Sequence, residues 1–150
     1  DDETSRSAAA AFAALTADLF PVEGILRPAA EGGIAVHFAR YLALGPEAYS
    51  IAFGDTVSIG AASTTGYLYG LITLGQILRG AKHHPDQLTF PTSGEIIDEP
   101  GLRWRGTHIY VSRQFYATAE IERLTKLIAW NKMNRLHLHL SEDEAWRVEI

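Results

Sequence analysis

The sequence predicts a small α+β domain, an antiparallel sheet with helices, followed by a β-α-β unit that opens a larger α/β barrel or sheet. Three observations carry this expectation. Tyr49, Ile51 and Phe53, then Val57, Ile59 and Ala61, alternate on either side of Gly54-Asp55, as the two arms of a β-hairpin do. Residues 107–112 form a β-prone run, a helical stripe follows, and Leu136, Leu138 and Leu140 then alternate with polar residues. Finally, the charge changes along the chain. Residues 1–98 carry 5 basic and 11 acidic groups, whereas residues 99–150 carry 8 basic and 7 acidic and hold all three Trp. The change falls at Asp98-Glu99-Pro100-Gly101, a turn-forming stretch, and the domain boundary is placed there: 1–98 and 99–150.

Each element has its own signal. Residues 5–19 are Ala-rich, with Phe12, Leu15 and Leu19 at helical spacing and Pro21 to stop them. Ile34, Val36 and Phe38 alternate as a half-buried strand. After the hairpin, Ser63-Thr64-Thr65 offers N-caps for a helix through Tyr67, Leu68, Leu71, Leu74, Ile77 and Leu78, stopping near Gly80. His83-His84 before Pro85 reads as a solvated pair. Residues 85–94 read as a loop with room for a short strand, and residues 95–97 as another strand. In the second part, Thr118 is the expected N-cap, and Glu120 and Glu122 suit the start of the helix dipole. Ile121, Leu124, Leu127, Ile128 and Asn131 form the expected inner stripe, and Asn134 the end. A strand, a helix and a strand imply a parallel pair with a right-handed crossover. Such a pair is normally covered on both faces, which one helix cannot do. The chain stops just past the second strand, so the expectation is of a larger fold cut short, with exposed edges that favour self-association.

Composition narrows the function classes. The chain has 150 residues, 47% hydrophobic and 21% charged, as soluble globular domains do. There is no Cys, which excludes disulfide scaffolds, thiolate metal sites and thiol nucleophiles and leaves cytoplasmic, periplasmic and secreted locations open. A net charge of −5 argues against a nucleic-acid partner, and no apolar run approaches the ~18 residues of a membrane span. The acidic start is unlike the basic region of a signal peptide.

Candidate chemistry gathers where parallel strands place sites, at their C-terminal ends. The first strand ends at Ser112-Arg113-Gln114, and the second at His139 to Glu144. An Arg, a His and three carboxylates therefore converge. Arg113 suits bidentate contact with neighbouring hydroxyls or a carboxylate. Glu142 either holds Arg113 or shares a ligand hydroxyl with it.

Residues 102–150 resemble the start of the catalytic barrel of family-20 glycoside hydrolases, the β-N-acetylhexosaminidases. The motifs are Trp104-Arg105-Gly106, Val111-Ser112-Arg113, Asn131-Lys132-Met133-Asn134, His137-Leu138-His139-Leu140-Ser141 and Trp146-Arg147-Val148-Glu149-Ile150. Residues from about 33 to 80 are similar to the α+β domain that precedes that barrel, through Gly45-Pro46-Glu47-Ala48-Tyr49, Gly66-Tyr67-Leu68-Tyr69-Gly70-Leu71 and Thr73-Leu74-Gly75-Gln76-Ile77-Leu78. The resemblance implies an accessory domain followed by the truncated start of a (β/α)8 TIM barrel. It implies release of terminal β-linked N-acetylglucosamine or N-acetylgalactosamine with retention, the substrate's own acetamido oxygen acting as nucleophile. The partner would be an N-acetylhexosamine-containing glycan, with no cofactor or metal. The family's catalytic Asp-Glu pair would lie further along the barrel, so no catalytic residue is expected here and these residues alone are expected to be inactive. Arg113 and Glu142 would bind substrate, and His139 and Asp143 would support them.

Five positions depart from the family's usual residues. Tyr110 stands where Asp is common, Gln114 for His, Glu142 for Asp, Glu144 for Gln and Ala145 for Gly. The extra methylene at Glu142 moves its carboxylate by roughly 1 Å, enough to matter for a positioned contact. Two other readings compete. One is a non-catalytic carbohydrate-binding or interaction module on the same scaffold. The other is a metal-dependent hydrolase using His137 and His139 with Glu142, a weak set without a third fixed ligand. For Trp104, Trp130 and Trp146, core or interface packing is the default. Arg105 reads as structural, at the start of the strand.

Overall fold

The computed structural model describes residues 2–23, 33–143 and 145–148. Glu144, Glu149 and Ile150, named above for their motifs, lie outside the described residues. The chain divides into two compact units, Asp1–Gly101 and Leu102–Ile150.

The first unit begins with α1 (Glu3–Leu19). Asp2 caps it, its carboxylate accepting from the Ser5 backbone N–H at 2.9 Å. Ala8, Phe12 and Leu15 are buried on one stripe, and Leu19 is half-buried. Next come β1 (Val36–Arg40), β2 (Tyr49–Phe53) and β3 (Val57–Ala61). β2 and β3 are the expected hairpin, with Ile51 opposite Ile59. The sheet is mixed rather than antiparallel, because β1 lies beside β3 and parallel to it. The chain reverses between β1 and β2 and again between β2 and β3. The first and third strands therefore run the same way, and alternation alone does not reveal which edge a strand joins. β4 (Gly94–Asp98) pairs with the other edge of β2, giving the order β1-β3-β2-β4. No strand forms in 85–93; Phe90 instead meets the Phe53 ring edge-on at 5.7 Å.

α2 (Thr64–His83) covers β2 and β3 and packs on α1. Ser63 caps it, its hydroxyl accepting from the Gly66 N–H at 3.0 Å. The helix runs through Gly80, its expected stop, to His83. Pro85 bars the preceding residue from helical geometry, and Lys82 and His83 suit the last turn. Gly66 and Gly70 permit the close approach. A Cβ at Gly66 would lie 2.5 Å from the Ala48 carbonyl oxygen, and one at Gly70 2.7 Å from the Ile59 side chain. Tyr49, Ile51, Ile59, Tyr67, Leu71 and Ile72 are almost wholly buried between the layers. At the rim, Glu23 accepts from Arg79 Nε at 2.9 Å and Nη2 at 3.1 Å, and lies 3.1 Å from His83 Nε2. His83 and His84 are both exposed, as expected, and His83 in addition lies within hydrogen-bond reach of Glu23.

The second unit contains β5 (Gly106–Tyr110), α3 (Thr118–Trp130) and β6 (Arg135–His139). β5 and β6 are parallel, with His108 opposite His137 and Tyr110 opposite His139. β5 is shorter than expected: Val111 and Ser112 leave the strand and both donate to the His139 carbonyl at 3.1 Å. Ala117, not Thr118, is the N-cap, and its N–H donates to the Glu120 carboxylate at 2.8 Å. Ile121, Leu124 and Ile128 are half-buried as expected, whereas Leu127 and Asn131 are exposed and Trp130 is buried instead. The helix ends at Trp130, earlier than expected, and Lys132 turns the chain with a φ of 55°. Asn134 has a different task. It accepts from the Arg105 N–H at 3.0 Å and donates to the Arg103 carbonyl at 2.9 Å, tying the start of β6 to the approach to β5. Arg105 donates to the Lys132 and Leu102 carbonyls at the same end. Two short strands follow, β7 (Ser141–Glu142) and β8 (Ala145–Trp146), paired antiparallel. Trp104 and Trp146 are exposed, and Trp104 carries the Arg135 guanidinium 5.2 Å from its ring centre.

Candidate functional site

The site is built where β5 and β6 end side by side. Because the register is even, Tyr110 and His139 finish their strands opposite one another, their rings 4.3 Å apart. The turn after β5 then presents Arg113, and β7 presents Glu142. Arg113 donates to Glu142 Oε2 from Nη2 at 2.7 Å and from Nε at 3.0 Å. Its Nε also donates to the Tyr110 hydroxyl at 3.1 Å. The Arg113 side chain is 73% exposed, that of Glu142 23%.

The electrostatics follow from these contacts. Hydrogen bonding to the Tyr110 hydroxyl, and then to Arg113, holds the Glu142 carboxyl below the usual carboxylate range. The same carboxylate raises the affinity of Arg113 for its proton. Both members are therefore charged at neutral pH. The exposed position of the pair keeps its net energy small.

A cavity of about 350 Å³ opens beside the pair, lined by Ser112, Arg113, Glu142, Asp143, Ala145 and Arg147. It is a polar cleft, with a guanidinium fork and carboxylates on its wall. Such a lining suits a ligand rich in hydroxyl groups.

The structure brings Arg113, Glu142 and His139 together. Asp143 is exposed and lines the cleft. His137 lies one step back along β6, stacked 4.5 Å from His108 and away from the ion pair. Among the described residues, no group of three His, Asp or Glu side chains is placed to hold a metal ion. Tyr110 and Arg147 were not singled out from the sequence as site residues. Tyr110 was legible in principle, because alternation along β5 puts it on the face of His108 and parallel pairing puts it opposite His139. Arg147 was not, because its place depends on the β7–β8 reversal, which returns its N–H to the Leu140 carbonyl at 3.0 Å. Ser112 is fully buried beside the cleft, and its hydroxyl has no hydrogen-bond partner among the described residues.

Comparison with known proteins gives a consistent picture. Residues 1–99 match the family model for glycosyl hydrolase family 20, domain 2, and residues 102–150 match that for the family's catalytic domain. The chain is 33% identical over 125 residues, 80% of its length, to a β-N-acetylhexosaminidase of Cellulomonas fimi, and covers 25% of that protein. It is 38% identical over 97 residues, 63% of its length, to a β-hexosaminidase of Porphyromonas gingivalis, and covers 12% of it. The chain thus spans a quarter or less of these curated relatives. Its structure superposes with a TM-score of 0.72 on a Streptomyces plicatus N-acetyl-β-hexosaminidase solved with Thio-NAglucal, at 32% identity, covering 97% of this chain and 30% of that one. It also superposes with a TM-score of 0.79 on a Vibrio harveyi exo-β-N-acetylglucosaminidase solved with N-acetylglucosamine, at 27% identity, covering 100% of this chain and 23% of that one.

Proposed function

Because the chain belongs to glycosyl hydrolase family 20, we propose that it serves a retaining β-N-acetylhexosaminidase acting on terminal β-linked N-acetylglucosamine or N-acetylgalactosamine. In this reading, residues 1–98 are the accessory α+β domain. Residues 99–150 supply the first strand, helix and second strand of a (β/α)8 TIM barrel. The observation that carries the proposal is the Arg113–Glu142 pair at the ends of parallel β5 and β6, on the wall of a polar cleft.

The roles follow from chemistry. Arg113 has five N–H groups, and Glu142 and Tyr110 engage only its inner edge. The outer edge is free to donate to two adjacent hydroxyl oxygens of a terminal sugar. Glu142 keeps the guanidinium in place and can accept from a sugar hydroxyl with its second oxygen. His139 buttresses Tyr110 behind them, and Asp143 lines the mouth. Bond cleavage is assigned to the substrate's acetamido oxygen and to an Asp-Glu pair on later strands. The residues of this chain bind and orient the sugar.

The test uses the full-length protein that the gene encodes and an aryl N-acetyl-β-glucosaminide, with release of the phenol as readout. Turnover is expected, with kcat/KM reduced roughly 100-fold by Arg113→Ala. Absence of turnover from a folded protein that still binds N-acetylglucosamine would overturn the proposal and favour a carbohydrate-binding module on the same scaffold.

A further inference from the structure

We infer that Tyr110 is a positioning residue for Arg113: its hydroxyl accepts from the same Nε–H that Glu142 takes and so fixes which edge of Arg113 faces the cleft. The inference rests on the reading of Arg113 as a sugar contact and adds a residue to it.

The geometry calls for such a third group. The Arg113 side chain is largely in solvent, and an exposed ion pair contributes little. Ordering a long Arg side chain opposes that by a comparable amount. Glu142 alone would hold the guanidinium loosely. Tyr110 differs from both partners in being anchored. It is the last residue of β5, its ring lies 4.3 Å from His139 on the paired strand, and its side chain has only two rotatable bonds to its ring. Its oxygen accepts from Arg113 Nε at 3.1 Å, the same N–H that Glu142 Oε2 takes at 3.0 Å. Together the two acceptors occupy the Nε edge of the guanidinium. The opposite edge, with its parallel N–H bonds, is left toward the cleft, where it fits two adjacent oxygens.

Tyr110→Phe tests this in the full-length protein, since it keeps the ring and its stacking and removes only the hydroxyl. The expected result is a KM for the aryl N-acetyl-β-glucosaminide raised roughly five-fold, with kcat within about two-fold. In an Arg113→Ala background, the same change should have no further effect. A Tyr110→Phe enzyme with unchanged KM, or an equal loss in both backgrounds, would overturn the inference while leaving the hydrolase reading intact. If the wild-type protein does not turn over, the hydrolase reading fails, and crystal structures of full-length wild type and Tyr110→Phe decide the matter. An Arg113 displaced from Glu142 in the variant supports the positioning role, and an unmoved pair overturns it.

Discussion

The two units solve the burial problem differently. In the first, a four-stranded sheet is covered by α2, with α1 packed against that helix, and side chains such as Ile51, Ile59, Tyr67 and Ile72 are sealed from water. In the second, two parallel strands carry one helix, and Val111 and Trp130 are the only buried apolar side chains among its described residues. The second unit's opposite strand face carries His108, Tyr110, His137 and His139, side chains that fit a polar lining better than a core. The contrast teaches that the candidate site sits on the less self-sufficient element. The first unit is a scaffold with a finished core, and the second presents strand ends.

Core truncation should expose this contrast most strongly. Ile72→Ala in α2 removes a fully buried side chain and should cost about 4 kcal/mol, whereas Ile128→Ala on half-buried α3 should cost about 1. Denaturant unfolding of the full-length protein checks both, and equal losses would break the comparison. Next in size is the site itself. Arg113→Lys keeps the charge but loses the planar fork, and should reduce kcat/KM roughly ten-fold without changing stability measurably. An effect of comparable size, on stability, should follow Asn134→Ala, which removes the side-chain bonds to Arg105 and Arg103 and leaves the backbone bonds to the Arg105 carbonyl in place. Roughly 1–1.5 kcal/mol is expected in unfolding.

The smallest effect belongs to the rim of the first unit. Glu23→Gln should lose about 1 kcal/mol at neutral pH. Hydrogen bonding to Arg79, and then to His83, lowers the Glu23 carboxyl from its ordinary 4.5 to about 2. A carboxylate with a lowered folded value stabilises fully above its unfolded value and loses that contribution as pH falls toward the folded one. The difference between wild type and Glu23→Gln should therefore persist above pH 4.5 and fade toward pH 2. Unfolding measured across that range checks the sign.

How much of this was legible in the sequence depends on the kind of contact. Period-two alternation located β2, β3 and β6, and helical spacing located α1 and α2, because these signals are local. Strand order was not legible: β1 joins β3 in parallel, a choice made by tertiary packing. Helix ends were displaced for local reasons that compete with one another, as where Pro85 rather than Gly80 ends α2. At the site, parallel pairing was enough to bring Arg113 and Glu142 together. Tyr110 was legible in principle from alternation along β5 and its pairing opposite His139, whereas Arg147 was hidden because its place depends on the reversal between β7 and β8.

The most direct measurement is a crystal structure of the full-length protein with N-acetylglucosamine. The account predicts two neighbouring sugar hydroxyls on the outer edge of Arg113, with its inner edge still held by Glu142 and Tyr110. A sugar bound elsewhere, with Arg113 beyond hydrogen-bond reach of it, would contradict the account.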